Sequence, residues 1–127
     1  LRKTITIEMA RNEYEAAQVV IEAPWRDVTV ERVRFSDLKS KDGKTLLANA
    51  LSWRRVDFVK TEIVPPYPVE RVGWYPDPLM PAEPFTIRKL SRTPIWITIR
   101  TQKDTPAGRY AGTIVIEPRG LKPSTIP

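Results

Sequence analysis

A chain of 127 residues is the size of one ordinary domain, and its 21 Lys and Arg against 15 Asp and Glu give it a formal charge of +6. It has no cysteine and no histidine, which excludes disulfides, thiol catalysis, thiolate metal sites and Ser–His–Asp chemistry together. Basic residues are interleaved with acids, as in ERVRFSDLKSKDGK (31–44), and the densest spot is Arg54–Arg55, so no nucleic-acid partner is expected. No run approaches the roughly 18 apolar residues a membrane helix needs, so no membrane partner is expected either.

In chain order, KTITIEM (3–9) alternates Ile5 and Ile7 with polar neighbours and predicts a strand with one buried face. ARNEYEAAQVVIEA (10–23) has helix formers in its first half, but Val19, Val20 and Ile21 make the second half a strand. VTVERVRF (28–35) and SWRRVDFVKTEIV (52–64) are rich in β-branched and aromatic residues and read as strands. TPIWITIRT (93–101) puts Ile95, Ile97 and Ile99 on one face and Trp96, Thr98 and Arg100 on the other, and RYAGTIVIEP (109–118) closes with another alternating run.

Turn residues separate these runs at Pro24–Trp25, Lys41–Gly43, Thr105–Gly108 and Arg119–Gly120, and no internal repeat is evident. Short strands between such turns predict an all-β fold, an antiparallel immunoglobulin-like β-sandwich. Seven of the thirteen prolines lie from Pro65 to Pro84. Because proline cannot donate to a central ladder, residues 64–84 are expected to form one long, ordered, proline-rich loop. Residues 1–120 are read as a single accessory-sized domain. The polar, proline-rich end LKPSTIP, within 121–127, is read as the start of a linker to a following domain, the chain being an excerpt.

Among candidate side chains, Glu13 and Glu15 stand two apart and would share a strand face, where a glycosidase pair needs carboxyls roughly 5 to 10 Å apart. Carboxylates flanking Arg11 at a strand entry are ordinarily ion-paired or solvated, and that is the reading taken. Trp25, Trp53 and Trp96 are expected in the core or on a sheet face, Trp96 on the polar side of its strand under some covering layer. Asp77, between Pro76 and Pro78, reads as a turn residue bonding backbone amides. Trp74, Tyr75, Asp77 and Leu79, with Tyr67, form the candidate binding set: rigid aromatics on a proline-stiffened loop, suited either to stacking on sugar or to docking on a neighbouring domain. Leu79 and Met80 favour docking, since sugars offer little for aliphatic side chains to match.

RNEYEAAQ (11–18) and WYPDPLMP (74–81), in that order and spacing, with WRRVDFVKTE between them and TPIWITIRTQKDTPAGRYAGTIVIEP after, resemble the amino-terminal β-sandwich domain of glycoside hydrolase family 123 and related bacterial proteins of unknown function. The resemblance covers nearly the whole chain. It implies a non-catalytic domain in front of a catalytic (β/α)8 barrel on the same polypeptide, in a secreted or periplasmic enzyme similar to exo-acting β-N-acetylgalactosaminidases. Those enzymes use the substrate's own acetamido group, oriented by an adjacent Asp–Glu pair on the barrel. No Asp–Glu dipeptide occurs in this sequence, so no catalytic residue carries over, and no metal or cofactor is implied. The alternative is an independent carbohydrate-binding module that engages glycan by itself. A cell-surface adhesion sandwich unrelated to hydrolysis stands behind both.

Overall fold

The alternation of Ile95, Ile97 and Ile99 organises the molecule. In the computed structural model, which describes residues 4–63 and 71–127, these three side chains are buried on the inner face of a long central strand. The elements are β1 (Tyr14–Ala23), β2 (Val28–Phe35), β3 (Leu38–Ser40), β4 (Thr45–Leu46), β5 (Leu51–Lys60), β6 (Trp74–Met80), β7 (Phe85–Ile87), β8 (Ser91–Arg100), β9 (Tyr110–Ala111), β10 (Ile114–Pro118) and β11 (Ser124–Ile126). They form two four-stranded antiparallel sheets, β1-β8-β5-β6 and β11-β10-β2-β7, with a small sheet β4-β3-β9 beside them. This is the all-β sandwich that period two and turn chemistry predict.

The register explains the core. β1 pairs with β8 without a break from Tyr14↔Arg100 to Ala23↔Ser91, so Ala17 and Val19 face the same interior as Ile97 and Ile95. From the second sheet come Val30, Val33, Phe85, Ile87, Ile114 and Ile116, all buried in one cluster with them. Val30 and Val33 are three apart, a spacing regular alternation forbids. A bulge allows it: β10 steps from Glu117 to Pro118 while β2 steps from Arg32 to Val30, and Pro118 has no N–H to lose there.

Three expectations are corrected. Residues 4–9 keep their alternating burial, with Ile5, Ile7 and Met9 half-buried, but they are not assigned to a strand; Ile5 N–H donates to Pro127 C=O at 3.2 Å. Alternation dictates an extended backbone and a face; a ladder also needs a free partner edge. The segment read as a linker from residue 121 contains β11, paired through Ile114↔Ile126, and Ile126 packs against the core. The proline-rich loop gives way to strand β6 at Trp74–Met80, while its first part, with Tyr67, lies outside the described residues.

The run 109–118 divides into β9 and β10 around Gly112. A Cβ there would lie 2.5 Å from Leu38 Cδ2 and 2.9 Å from the Asp37 carbonyl oxygen, so only glycine lets the two chains approach this closely. Leu90 is held in the left-handed region at φ 62° in the turn from β7 to β8. A leucine there is strained by its own Cβ, whereas asparagine adopts that region readily. Leu90→Asn is therefore expected to raise stability by up to about 1 kcal/mol, read as a higher urea midpoint at unchanged m-value.

Candidate docking surface

A strand containing Pro76 and Pro78 is tolerable only at a sheet edge, and β6 is the edge of its sheet. Its pairing with β5 runs Arg55↔Met80 and Val56↔Leu79, then resumes at Phe58↔Pro76, Val59↔Tyr75 and Lys60↔Trp74. Asp77 and Pro78 thus face Asp57 alone. The extra residue sits where Pro78 has no N–H to give the ladder, so the bulge costs little that proline had not already removed.

β5 itself alternates regularly, because the Arg55 guanidinium meets the Asp57 carboxylate at 3.1 Å and the two therefore share a face. That face is the inner one: Arg55 lies over the Phe85 ring at 5.9 Å, and Trp53 packs against the same ring with centroids 6.1 Å apart. Ser52, Arg54, Val56, Phe58 and Lys60 consequently point outward. Across the ladder the outward set on β6 is Leu79, Pro76 and Trp74, while Tyr75 turns to the inner side with Val59.

The same parity on the other two strands sends Pro94, Trp96, Thr98 and Arg100 outward from β8, and Tyr14, Ala16, Gln18 and Val20 outward from β1. An apolar row therefore crosses the whole sheet: Val20 beside Pro94, Pro94 beside Val56 by continuation of the Arg55↔Ile95 register, and Val56 beside Leu79. Trp96 and Phe58 flank it, and Trp74 stands further along the edge strand, opposite Lys60. Val20 is 51% exposed, Leu79 41% and Trp74 68%, whereas Val56, in the middle of the row, is closed in to 4%. The outer face of an antiparallel sheet is ordinarily polar. Here a large apolar strip has a polar rim of Gln18, Arg54, Lys60 and the Arg100 guanidinium, which lies 5.1 Å over the Tyr14 ring. An apolar centre with a polar rim is the anatomy of an interface.

The end of the β5–β6 hairpin is tied by Thr61: its N–H donates to Gly73 C=O at 2.8 Å, and its hydroxyl accepts from Gly73 N–H at 3.0 Å. Tyr75 donates its hydroxyl to Arg71 C=O at 3.1 Å, which pins the ring. Trp74 and Leu79 thus belong to the outer face, Tyr75 to the opposite side of the edge, and Asp77 is exposed in mid-strand rather than in the turn expected of it. Sequence reasoning missed Val20, Pro94, Val56 and Phe58. The signal was present in the consecutive apolar residues Val19–Val20–Ile21 and Phe58–Val59, since a strand without alternation is apolar on both faces.

The other candidates resolve structurally. Glu13 accepts a hydrogen bond from Ala10 N–H with its carboxylate, in a turn where Asn12 is left-handed at φ 57°. The buried Thr101 hydroxyl donates to Ala10 C=O at 2.7 Å and accepts from Glu13 N–H at 3.2 Å, so the RNEYE motif locks the entry to β1. Thr101→Val leaves those two backbone groups unpaired and is expected to cost about 1–3 kcal/mol, measured as a shift of the urea midpoint. Trp53 is on the core as expected, and Trp25 is not: it is 84% exposed.

Clefts open at both ends of the described sandwich. One of about 290 Å³ lies at Arg55, Met80 and Phe85, with Glu83 its one acid. The other, of about 1040 Å³, opens at the opposite end between Ile7, Met9, Leu46, Leu51, Ile99 and Tyr110, with Glu8 its one acid. Neither holds a pair of carboxylates, and no group of three or more His, Cys, Asp or Glu side chains gathers among the described residues to hold a metal.

By class the molecule is an antiparallel all-β sandwich with an apolar strip on the outer face of one sheet. The chain belongs to the glycoside hydrolase 123 N-terminal domain family, whose model matches residues 1–118. In fold it is similar to a family 123 glycoside hydrolase from Clostridium perfringens, a structure described in terms of glycolipid glycan hydrolysis, with a TM-score of 0.79 at 19% identity. That likeness covers 91% of this chain and 20% of the other, so the chain spans about one fifth of that enzyme's length. No curated protein sequence matches it significantly.

Proposed function

We infer that this chain is the non-catalytic N-terminal domain of a bacterial, β-N-acetylgalactosaminidase-like glycoside hydrolase, and that it braces the catalytic barrel of the same polypeptide through the outer face of the β1-β8-β5-β6 sheet. The observation that carries the reading is the apolar row Val20–Pro94–Val56–Leu79, with Trp96 and Phe58 beside it and Trp74 further along the same face, which solvent alone would make polar. Four strands at about 4.8 Å spacing and roughly 20 Å of strand length offer some 300–400 Å² to a partner, which when matched reaches the lower end of interdomain interfaces. Family membership supports a hydrolase as the parent, and the single acids in these two clefts support a site elsewhere on the longer polypeptide. An enzyme of this kind acting on polymeric or host glycans belongs outside the cytoplasm, so the parent is secreted or periplasmic.

The competing reading is an independent carbohydrate-binding module, favoured by one feature, the exposed indole of Trp74. A glycan array with this domain alone separates the two. No sugar should bind, because an aliphatic row has nothing to match against hydroxyls; binding that Trp74→Ala abolishes would establish the module and overturn the brace.

A further inference from the structure

Trp25 and Leu90 are, at 84% and 80%, the most exposed of the large hydrophobic side chains among the described residues. They occupy neighbouring turns at one end of the sandwich, Trp25 between β1 and β2, Leu90 between β7 and β8. The turns are tied together: Leu90 N–H donates to Ala23 C=O at 2.7 Å, Lys89 N–H to Asp27 Oδ1 at 2.8 Å, and Arg88 reaches the same carboxylate at 3.7 Å. These are built tips. Leu90 is also kept in a left-handed backbone conformation that a leucine resists, and strain of that kind persists only where the surroundings over-determine it.

Charge completes the pattern. Glu22 stands opposite Arg92 in the β1–β8 register, and Asp27 is engaged by Arg88 and the Lys89 amide. Arg26, next to Trp25, and the Lys89 ammonium, next to Leu90, have no ion pair among the described residues. Each tip therefore joins one large apolar side chain to one uncompensated cation. We propose that this end of the sandwich docks reversibly on the surface of an anionic lipid bilayer. At such an interface indole sits at the headgroup level, an aliphatic side chain reaches the acyl boundary, and Lys and Arg stems extend back to the phosphates. The two side chains stand out into solvent, and Arg26, Asp27, Arg88 and Lys89 beside them are charged. A fluid surface takes up such a protrusion without a shaped counterpart, whereas a protein partner would need a pocket ringed by further apolar contacts.

No helix among the described residues is long and apolar enough to cross a membrane, which concerns spanning and not lying on a surface. Two side chains bury less than one myristoyl group, whose partition constant is about 10⁴ M⁻¹, so half-binding is expected near millimolar lipid. The proposal is independent of the brace, since it uses other residues.

The test is co-sedimentation of the full polypeptide with vesicles of phosphatidylcholine and phosphatidylglycerol in equal parts, beside phosphatidylcholine alone. Binding to the anionic vesicles is expected, reduced about tenfold by Trp25→Ala and about fivefold by either Arg26→Gln or Lys89→Gln. Leu90→Asn suits the left-handed turn, so a several-fold loss in that variant at an undiminished melting temperature reads contact rather than unfolding. The proposal is overturned if the wild type ignores anionic vesicles, or if Trp25→Ala and Leu90→Asn both bind as wild type. Protection of Trp25 from hydroxyl-radical labelling in the lipid-free full polypeptide would overturn it too, by placing the tips against another part of the protein.

Discussion

Leu79→Asp combined with Val20→Asp is expected to separate the full-length protein's stability from that of this domain alone. In the domain alone both positions are about half in water, at 41% and 51% exposure, so the change should stay within about 0.5 kcal/mol per site. In the full-length protein the same two carboxylates would be pressed into an apolar contact with no partner, losing the burial of a leucine and a valine and adding charge desolvation. About 2–4 kcal/mol of interdomain stabilisation should disappear. Thermal unfolding of the two forms side by side reads the difference: one transition nearly unmoved in the isolated domain, and a lowered or split transition in the whole protein. Trp74→Ala should act in the same direction, because its indole lies on the same outward face.

The largest effect on the domain itself is expected at Ile95. It is fully buried at the middle of β8, between Val19 on β1 and Arg55 on β5, and belongs to the cluster that both sheets share. Ile95→Ala removes the branched side chain from a site fixed by pairing on both edges, so the space can close only partly. A loss of about 2–5 kcal/mol follows, against a total of roughly 5–15 kcal/mol for a domain of this kind. For a chain of this length that is a fall of about 10 °C in Tm, checked by calorimetry. Trp96, one residue on, points outward, so Trp96→Ala should disturb the isolated domain far less.

That contrast between neighbours was legible in the sequence, since Ile95, Ile97 and Ile99 alternate without a fault and the structure buries all three. β2 was legible to the residue, as Val28–Phe35, and the β-branched run 19–21 lies in a strand as indicated, though β1 also takes in Tyr14–Gln18, whose helix formers pointed the other way. What could not be read was pairing. The segment 4–9 alternates as cleanly as β8 yet joins no ladder, and the short STI of 124–126 acquires one because β10 offers an edge. Proline misled in the opposite direction: Pro76 and Pro78 argued for a loop, but an edge strand with a bulge needs no N–H from Pro78. The site suffered from the same blindness. Trp74 and Leu79 were found because aromatics and prolines draw notice, whereas Val20, Pro94 and Val56 join them only through the register of four strands far apart in the chain.

Hydroxyl-radical footprinting of the isolated domain and of the full-length protein, compared residue by residue, bears most directly on the brace. Val20, Phe58, Trp74 and Leu79 should be strongly labelled in the isolated domain and several-fold protected in the whole protein, while the exposed Leu121, away from that sheet, stays equally reactive in both. Equal labelling of the four outer-face residues in the two forms would show that the apolar row faces water in the full-length protein, and the brace would have to be abandoned.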